Sequence, residues 1–340
     1  MRGESSVTNR RDFLVSAGAV AGSMALRIGA AAARKPARSA SGKALAGVFP
    51  IAWTPCRPDG KLDAQAMAAQ RSFLNRGKVA GVAWPQNASG WETLSPQEWH
   101  EGADALLSVK GGGAVVLGVQ TVGFDLKKST EYARYAASKG ADAIISLTPA
   151  GASDADVIAY FKTLASASHL PLLVQAVGDV SVDTLVRLSE AVPTVIAVKD
   201  EAGDPLQRGP LLRAGTRGRL ENFSGNGAYT LFAELEEGFV GTCPFVGMAD
   251  VLQRVCNLYR SGRKAEAYDV FGRFLAFNSI PRSNDYVLVA RGVFPEEDIM
   301  RANPPKPGAV KHPPAGPITA AEKAEIRRVL NDYMKPYLVA

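Results

Sequence analysis

Lys199 ends an apolar run, Thr194-Val-Ile-Ala-Val, and Asp200, Glu201, Gly203 and Asp204 follow it at once. Val195 to Val198 reads as a strand buried on both faces, as parallel strands beneath helices are. A lysine at the carboxyl end of such a strand is rarely left there without a partner or a purpose. Desolvation disfavours the ammonium, and the free amine is a nucleophile toward carbonyl carbon. The plainer alternative is a strand-end lysine that snorkels to water or pairs with Asp200 or Glu201. The other chemistry-bearing residues offer less. His100, His169 and His312 have no nucleophile or carboxylate at catalytic spacing, and no Cys/His pattern matches a zinc site. No metal and no cofactor is therefore expected. Lys110-Gly-Gly-Gly113 precedes a strand instead of opening a helix, so it is not a phosphate cradle.

The elements that must position Lys199 alternate along the chain. Short apolar runs at 47–53, 79–84, 114–119, 143–147, 172–177, 195–198, 220–224 and 238–243 are separated in most intervals by helical stretches. These stretches lie at 63–76, from Ser95 on, and at 126–139, 154–168, 181–191 and 228–237. Ser95-Pro96-Gln97-Glu98 and Thr319-Ala-Ala-Glu322 are capping boxes. Eight strand–helix units over residues 46–262 predict a (β/α)8 TIM barrel, with a doubly wound sheet as the other architecture. Residues 263–340 read as a C-terminal helical extension. Within it, seven prolines between 295 and 317 predict an extended arm.

The net charge of +6 does not point to nucleic acid. Residues 1–43 hold eight basic and two acidic residues, and the remainder carries 31 of each sign. Thr8-Asn-Arg10-Arg11-Asp-Phe13-Leu14 with the small apolar segment behind it resembles a twin-arginine signal, over residues 1–33. It predicts export to a periplasm, the twin-arginine machinery as a partner and no stable membrane anchor after cleavage. Residues 34–45 read as a disordered or linker stretch.

Several strand-end motifs are together similar to those of the dihydrodipicolinate synthase / N-acetylneuraminate lyase superfamily. They are Gly47-Val-Phe-Pro with Thr54-Pro55, Asn87-Ala88-Ser89 with Thr93-Leu94-Ser95, and Gly140-Ala-Asp-Ala with Leu147-Thr148-Pro149. Val195-Ile-Ala-Val-Lys199-Asp-Glu-Ala-Gly-Asp204, Ser224-Gly225-Asn226 and the region of Gly241 complete the set. The resemblance spans about residues 46–335. It implies a Schiff base between Lys199 and the ketone of a small 2-oxo acid. It places the substrate carboxylate at Asn87, Ala88 and Ser89, and further substrate contacts at Thr54, Thr148, Gly225 and Asn226. It also implies a homo-oligomer, dimer or tetramer.

The chain departs from the pattern where a proton must move. The family's tyrosine after the fourth strand is replaced by Ala150 and Gly151, and Tyr160 lies too far along the next helix. Asn87 and Ala88 stand for two loop threonines, and Gly90 for a glutamate. Thr54, Thr121, Thr148, Ser153 or a water remain as proton carriers, with no basis to choose. Cys56 and Cys243 follow neighbouring strands of a closed barrel, so they form either a disulfide or, the preferred reading, two buried free thiols. The leading expectation is an exported lyase that cleaves, condenses or dehydrates a 2-oxo acid through Lys199. The alternatives are a 2-oxo acid binding or scaffold protein without turnover, and another reaction on the same barrel.

Overall fold

A computed structural model describes residues 36–301 and 317–339 of the protein; the expected leader lies outside them. In chain order the strands are β1 Gly47–Val48, β2 Pro55–Cys56, β3 Gly81–Trp84, β4 Ala114–Gly118, β5 Ala143–Leu147, β6 Leu172–Ala176, β7 Val195–Asp200, β8 Glu221–Ser224, β9 Gly241–Thr242 and β10 Ile299–Met300. The helices are α1 Ala64–Arg76, α2 Pro96–Ser108, α3 Leu126–Ser138, α4 Asp154–Ser168, α5 Val182–Ala191, α6 Pro205–Thr216, α7 Leu231–Glu236, α8 Ala249–Arg260, α9 Lys264–Asn278, α10 Ser283–Ala290 and α11 Ala320–Val329. Strands β3 to β9 pair in sequence order, each parallel to the next, and β9 pairs with β1. The ring closes at Ile51, which bridges Ala83. Ala52 N donates to Ala83 O at 3.0 Å and Ala83 N to Pro50 O at 3.0 Å. This is the expected TIM barrel with its C-terminal helices.

Two apolar layers follow from the period of two along each strand. Phe49, Ile51, Ala83, Val116, Ile145, Leu173, Ala197 and Phe223 fill the barrel interior. Their alternates, such as Val82, Val115, Ile144, Val174 and Val198, pack outward against the helices. Small residues let the layers meet. A Cβ on Gly241 would lie 1.9 Å from Gly47 O, and one on Gly81 would lie 2.1 Å from the Phe49 ring.

One helix escapes the sequence signals. The segment of α6 holds Pro210, Gly209 and Gly215, all poor helix formers. Asp204 caps it, with its side chain accepting from Leu206 N, and Pro205 occupies the first turn. The glycines serve packing. A Cβ on Gly209 would lie 2.5 Å from the Phe239 ring, and one on Gly215 2.6 Å from Val186.

Residues 36–45 are not the expected disordered linker. Arg38 bridges Ala44 in an antiparallel turn, and Leu45 is fully buried in the barrel interior. The turn is held by Asp142, at the start of β5. Asp142 accepts from Ser39 Oγ at 3.2 Å, from Ser41 Oγ, from Lys43 Nζ at 2.9 Å and from Val115 N at 2.8 Å. The start of the proline-rich arm is likewise tied down. β10 pairs antiparallel with β2, and Arg301 N donates to Thr54 O at 3.0 Å. Arg301 Nη2 reaches Glu98 Oε1 at 2.7 Å and Gly60 O at 2.7 Å. Residues 302–316 of the arm lie outside the described residues.

Glu98 thus joins the α2 capping box to the C-terminal strap. The Arg301 guanidinium holds its carboxyl at about 2; burial opposes this, and the Ser95 N–H and hydroxyl add to it. Glu98→Gln is expected to lower stability at pH 7 by about 1.5–3 kcal/mol, as for hydrogen bonds to a charged group, read by urea unfolding. A depressed carboxylate stabilises above its unfolded pKa, about 4.3. The gap between wild type and variant should therefore close as pH falls from there toward about 2.

Candidate active site

β7 sets the alternation of the site. Lys199 and Glu201 point into the barrel, and Asp200 between them points out. Asp200 is buried against α6, where Arg208 Nε donates to its Oδ2 at 2.8 Å and Arg208 Nη2 donates to Val180 O at 3.0 Å. Lys199 is 4% exposed, and its Nζ lies 3.2 Å from Glu201 Oε1. Of the two acidic partners open to it from the sequence, Lys199 pairs with the one on its own face. Gln175 stands beside Lys199 in register on β6 and donates its Nε2 to Glu201 Oε2. Both carboxylate oxygens of Glu201 are therefore engaged, one by an ammonium and one by an amide.

Further along the inner wall sit Cys243, Gln86 and Gln120. Burial pushes the Cys243 thiol up to about 12, with the Lys199 charge pulling the other way. Gln86 Nε2 and Gln120 Nε2 both donate to Pro85 O, each at 2.8 Å. A Cβ on Gly118 would lie 2.0 Å from that same carbonyl, so only glycine allows this convergence. The amide orientations are fixed, because each nitrogen faces an acceptor. Oε1 of Gln86, Gln120 and Gln175 is left buried without a protein partner. Three acceptors in the upper barrel are thus available to hydroxyl or ammonium donors on a ligand. A cavity of about 100 Å³ lies nearby, between Pro85, Trp91, Gln120, Thr121 and Lys128, rather than over Lys199.

The residues expected to touch substrate divide. Asn87, Ala88 and Ser89 form a short 3-10 turn after β3. Ala88 packs toward the barrel interior, and Asn87 Oδ1 accepts from Trp91 Nε1 at 3.1 Å. The Ser89 hydroxyl is committed to Ala52 O at 2.6 Å and to Gln86 N at 3.1 Å. The Thr54 hydroxyl donates to Ser89 O at 2.6 Å and accepts from Trp84 Nε1 at 2.9 Å. Both hydroxyls brace the loop. Thr148 lies on the outward parity of β5, and its hydroxyl bonds Val177 N and O at 3.0 and 3.1 Å. Gly225 stands over Glu201, where a Cβ would lie 2.3 Å from Glu201 Cγ. Asn226 N donates to Ser224 Oγ at 3.4 Å.

Ala150 and Gly151 lie on the exposed loop after β5. Tyr160 is buried, but its hydroxyl bonds Ser146 at 3.0 Å and Ser129 at 3.3 Å. Ser146 is the outward neighbour of the inward Ile145, so Tyr160 sits behind the barrel wall. Thr121 belongs to the same outer chain, through Ser129 at 3.1 Å. Ser153 caps α4. The hydroxyls considered as proton carriers therefore bond elsewhere, and the group that touches Lys199 is Glu201. All three cysteines are free and buried. Cys56 accepts from Arg301 Nε at 3.1 Å, away from Cys243 inside the barrel, so the disulfide does not form.

The model of the dihydrodipicolinate synthetase family matches residues 44–332. The chain belongs to this family. Among curated proteins it is 32% identical over 187 residues to the 4-hydroxy-tetrahydrodipicolinate synthase of Sphingopyxis alaskensis, covering 53% of this chain and 63% of that protein, less than two thirds of its length. Its fold is shared with the sialic acid aldolase of Ruminococcus gnavus, with a TM-score of 0.71, 15% identity and coverage of 86% and 99% of the two chains. It is also shared with a prophage protein of the dihydrodipicolinic acid synthase family from E. coli K12, solved in complex with pyruvate. There the TM-score is 0.69, the identity 20% and the coverage 84% and 98%. The expected enzyme class, a lyase, agrees with the family. Within it, this member carries Glu201 inside the barrel and an alanine–glycine pair where a tyrosine was expected.

Gly225 has a testable part in this arrangement. Gly225→Ala must displace the Glu201 side chain or the β8 loop. It is expected to cost about 1–3 kcal/mol, as overpacking does, read by thermal or urea unfolding. Gly227→Ala, where φ is +57° and a Cβ would lie 3.1 Å from the Tyr229 ring, strains the same loop away from Glu201 and should leave the Glu201 position unchanged in a crystal structure.

Proposed function

We propose that the protein is an exported lyase that forms a Schiff base between Lys199 and the ketone of a 2-oxo acid. The observation that carries the reading is the place of Lys199: buried, inward, at the carboxyl end of a barrel strand, in a chain of this family. Active sites of such barrels sit at that end. An iminium is an electron sink, so a bond one carbon removed from it can break or form. Aldol cleavage or condensation and dehydration of a keto-deoxy sugar acid are the reactions in scope. The unpartnered oxygens of Gln86, Gln120 and Gln175 favour a substrate that brings hydroxyl donors. The substrate carboxylate falls to the backbone of the Asn87–Ser89 turn, since the Ser89 hydroxyl is already engaged. Export rests on residues 1–33 through the twin-arginine machinery, which places the protein in a periplasm, and a dimer or tetramer is the proposed assembly.

A second reading is a 2-oxo acid binding protein without turnover. It is favoured by the exposed Ala150–Gly151 pair, which offers no proton carrier. Borohydride reduction in the presence of pyruvate and a panel of hydroxylated 2-oxo acids tests the first step. The expected result is a covalent mass on the peptide containing Lys199, absent in Lys199→Ala. An unmodified Lys199 across the panel would sink the proposal. An adduct without any cleavage or dehydration product would select the second reading.

A further inference from the structure

We infer that Glu201 is the acid–base residue of the site, taking the place left by Ala150 and Gly151. The inference rests on the Schiff-base reading of Lys199. Five observations carry it. Glu201, the first residue after β7, shares the inward side with Lys199 two residues before it, and its Oε1 is 3.2 Å from Nζ. That is hydrogen-bond reach for proton transfer. Gln175 Nε2 holds the other oxygen, so the carboxylate is oriented. Gly225 provides the room that the side chain occupies, since a Cβ there would lie 2.3 Å from Cγ. The hydroxyls of Thr54, Thr121, Thr148, Ser153 and Tyr160 all bond to other groups. Glu201 keeps a side-chain exposure of 25%, against 5% for Lys199, so it faces the side from which a substrate arrives.

The proton inventory closes on these two residues. In the resting pair Nζ is an ammonium and Glu201 a carboxylate. Glu201 takes one proton from Nζ, and the freed lone pair forms the N–C2 bond as the carbonyl π pair moves onto oxygen. That oxygen takes a second proton from the nitrogen, giving a neutral carbinolamine. Glu201 then returns its proton to the hydroxyl, which leaves as water while the nitrogen lone pair closes the C=N bond. Ammonium plus ketone has become iminium plus water, with charge conserved and no redox partner required. The same carboxylate next removes a proton from C3, and the C–H electron pair moves into the iminium to give the enamine. Gln175 is a positioning residue in this scheme, because it acts through Glu201.

The test uses the mature protein with pyruvate in D2O, where passage through the enamine exchanges the methyl hydrogens and NMR reads the rate. The expected result is exchange by the wild type, a loss of about 10²–10⁴-fold in Glu201→Gln, in the usual range for general acid–base catalysis, and continued borohydride trapping at Lys199 in that variant. Glu201→Asp, which keeps the carboxylate on a shorter arm, should be intermediate. Added formate should restore part of the rate to Glu201→Ala, which a merely structural ion pair would not do. Exchange by Glu201→Gln at or above the wild-type rate, in a variant that melts like the wild type, would overturn the inference and leave the Schiff-base reading standing. Failure of the wild type itself to be trapped would overturn both.

Discussion

The alternation of side chains at the end of β7 is the constraint on which the rest depends. A lysine, an aspartate and a glutamate follow one another at the end of a strand that is buried on both faces. The period of two sends Lys199 and Glu201 inward and Asp200 outward. Each charge meets a partner on its own side: Lys199 with Glu201, and Asp200 with Arg208. An unpaired charge at either depth would cost several kcal/mol. The outward pair anchors α6 to the strand, and the inward pair stands inside the barrel at the carboxyl end of β7. A shift of one residue in register would exchange the two roles and put the aspartate inside the barrel.

The barrel holds this pair by close approach more than by bulk. Glycines at 81, 118, 225 and 241 stand where a methyl group would collide with a backbone carbonyl or a neighbouring side chain. They let neighbouring strands close on one another, two glutamine amides meet at Pro85 O and Glu201 lie under the loop after β8. The segment before β1 and the strap at β10 are then used as ties. The residue 36–45 turn is held on Asp142, beside the interior face that Leu45 fills, and Arg301 pulls β10 onto the loop after the first strand. These ties bring together residues far apart in the chain and fix the loops that carry Thr54 and Ser89.

Much of this was legible in the sequence where local signals were strong. An apolar strand ending in lysine marked Lys199, and Ser95, Ser181 and Thr319 marked helix starts that the structure places within a residue. Glu201 was visible only as one of two partners, although the period of two along a strand selects it. Gln175, a lone polar residue in the apolar run Leu172 to Ala176, was a signal left unused. Helix α6 was hidden because Pro210 and two glycines contradict helix propensity, and its stability comes from tertiary contact. The turn at 36–45 was hidden for a related reason: Ser39, Ser41 and Lys43 look like linker composition until Asp142 is beside them. The hydroxyls of Thr54, Thr148 and Ser89 matched a motif, but a motif does not tell whether a hydroxyl faces substrate or braces a loop.

The central claim is that the Lys199–Glu201 pair opens to a ketone and the carboxylate stays at the reacting carbon. A crystal structure of the protein soaked with pyruvate tests it most directly. The account predicts continuous density from Lys199 Nζ to C2 of pyruvate, with a Glu201 oxygen within hydrogen-bond distance of the adduct and Gln175 still holding the other oxygen. A Lys199 still closed on Glu201, with pyruvate bound elsewhere or absent, would contradict it.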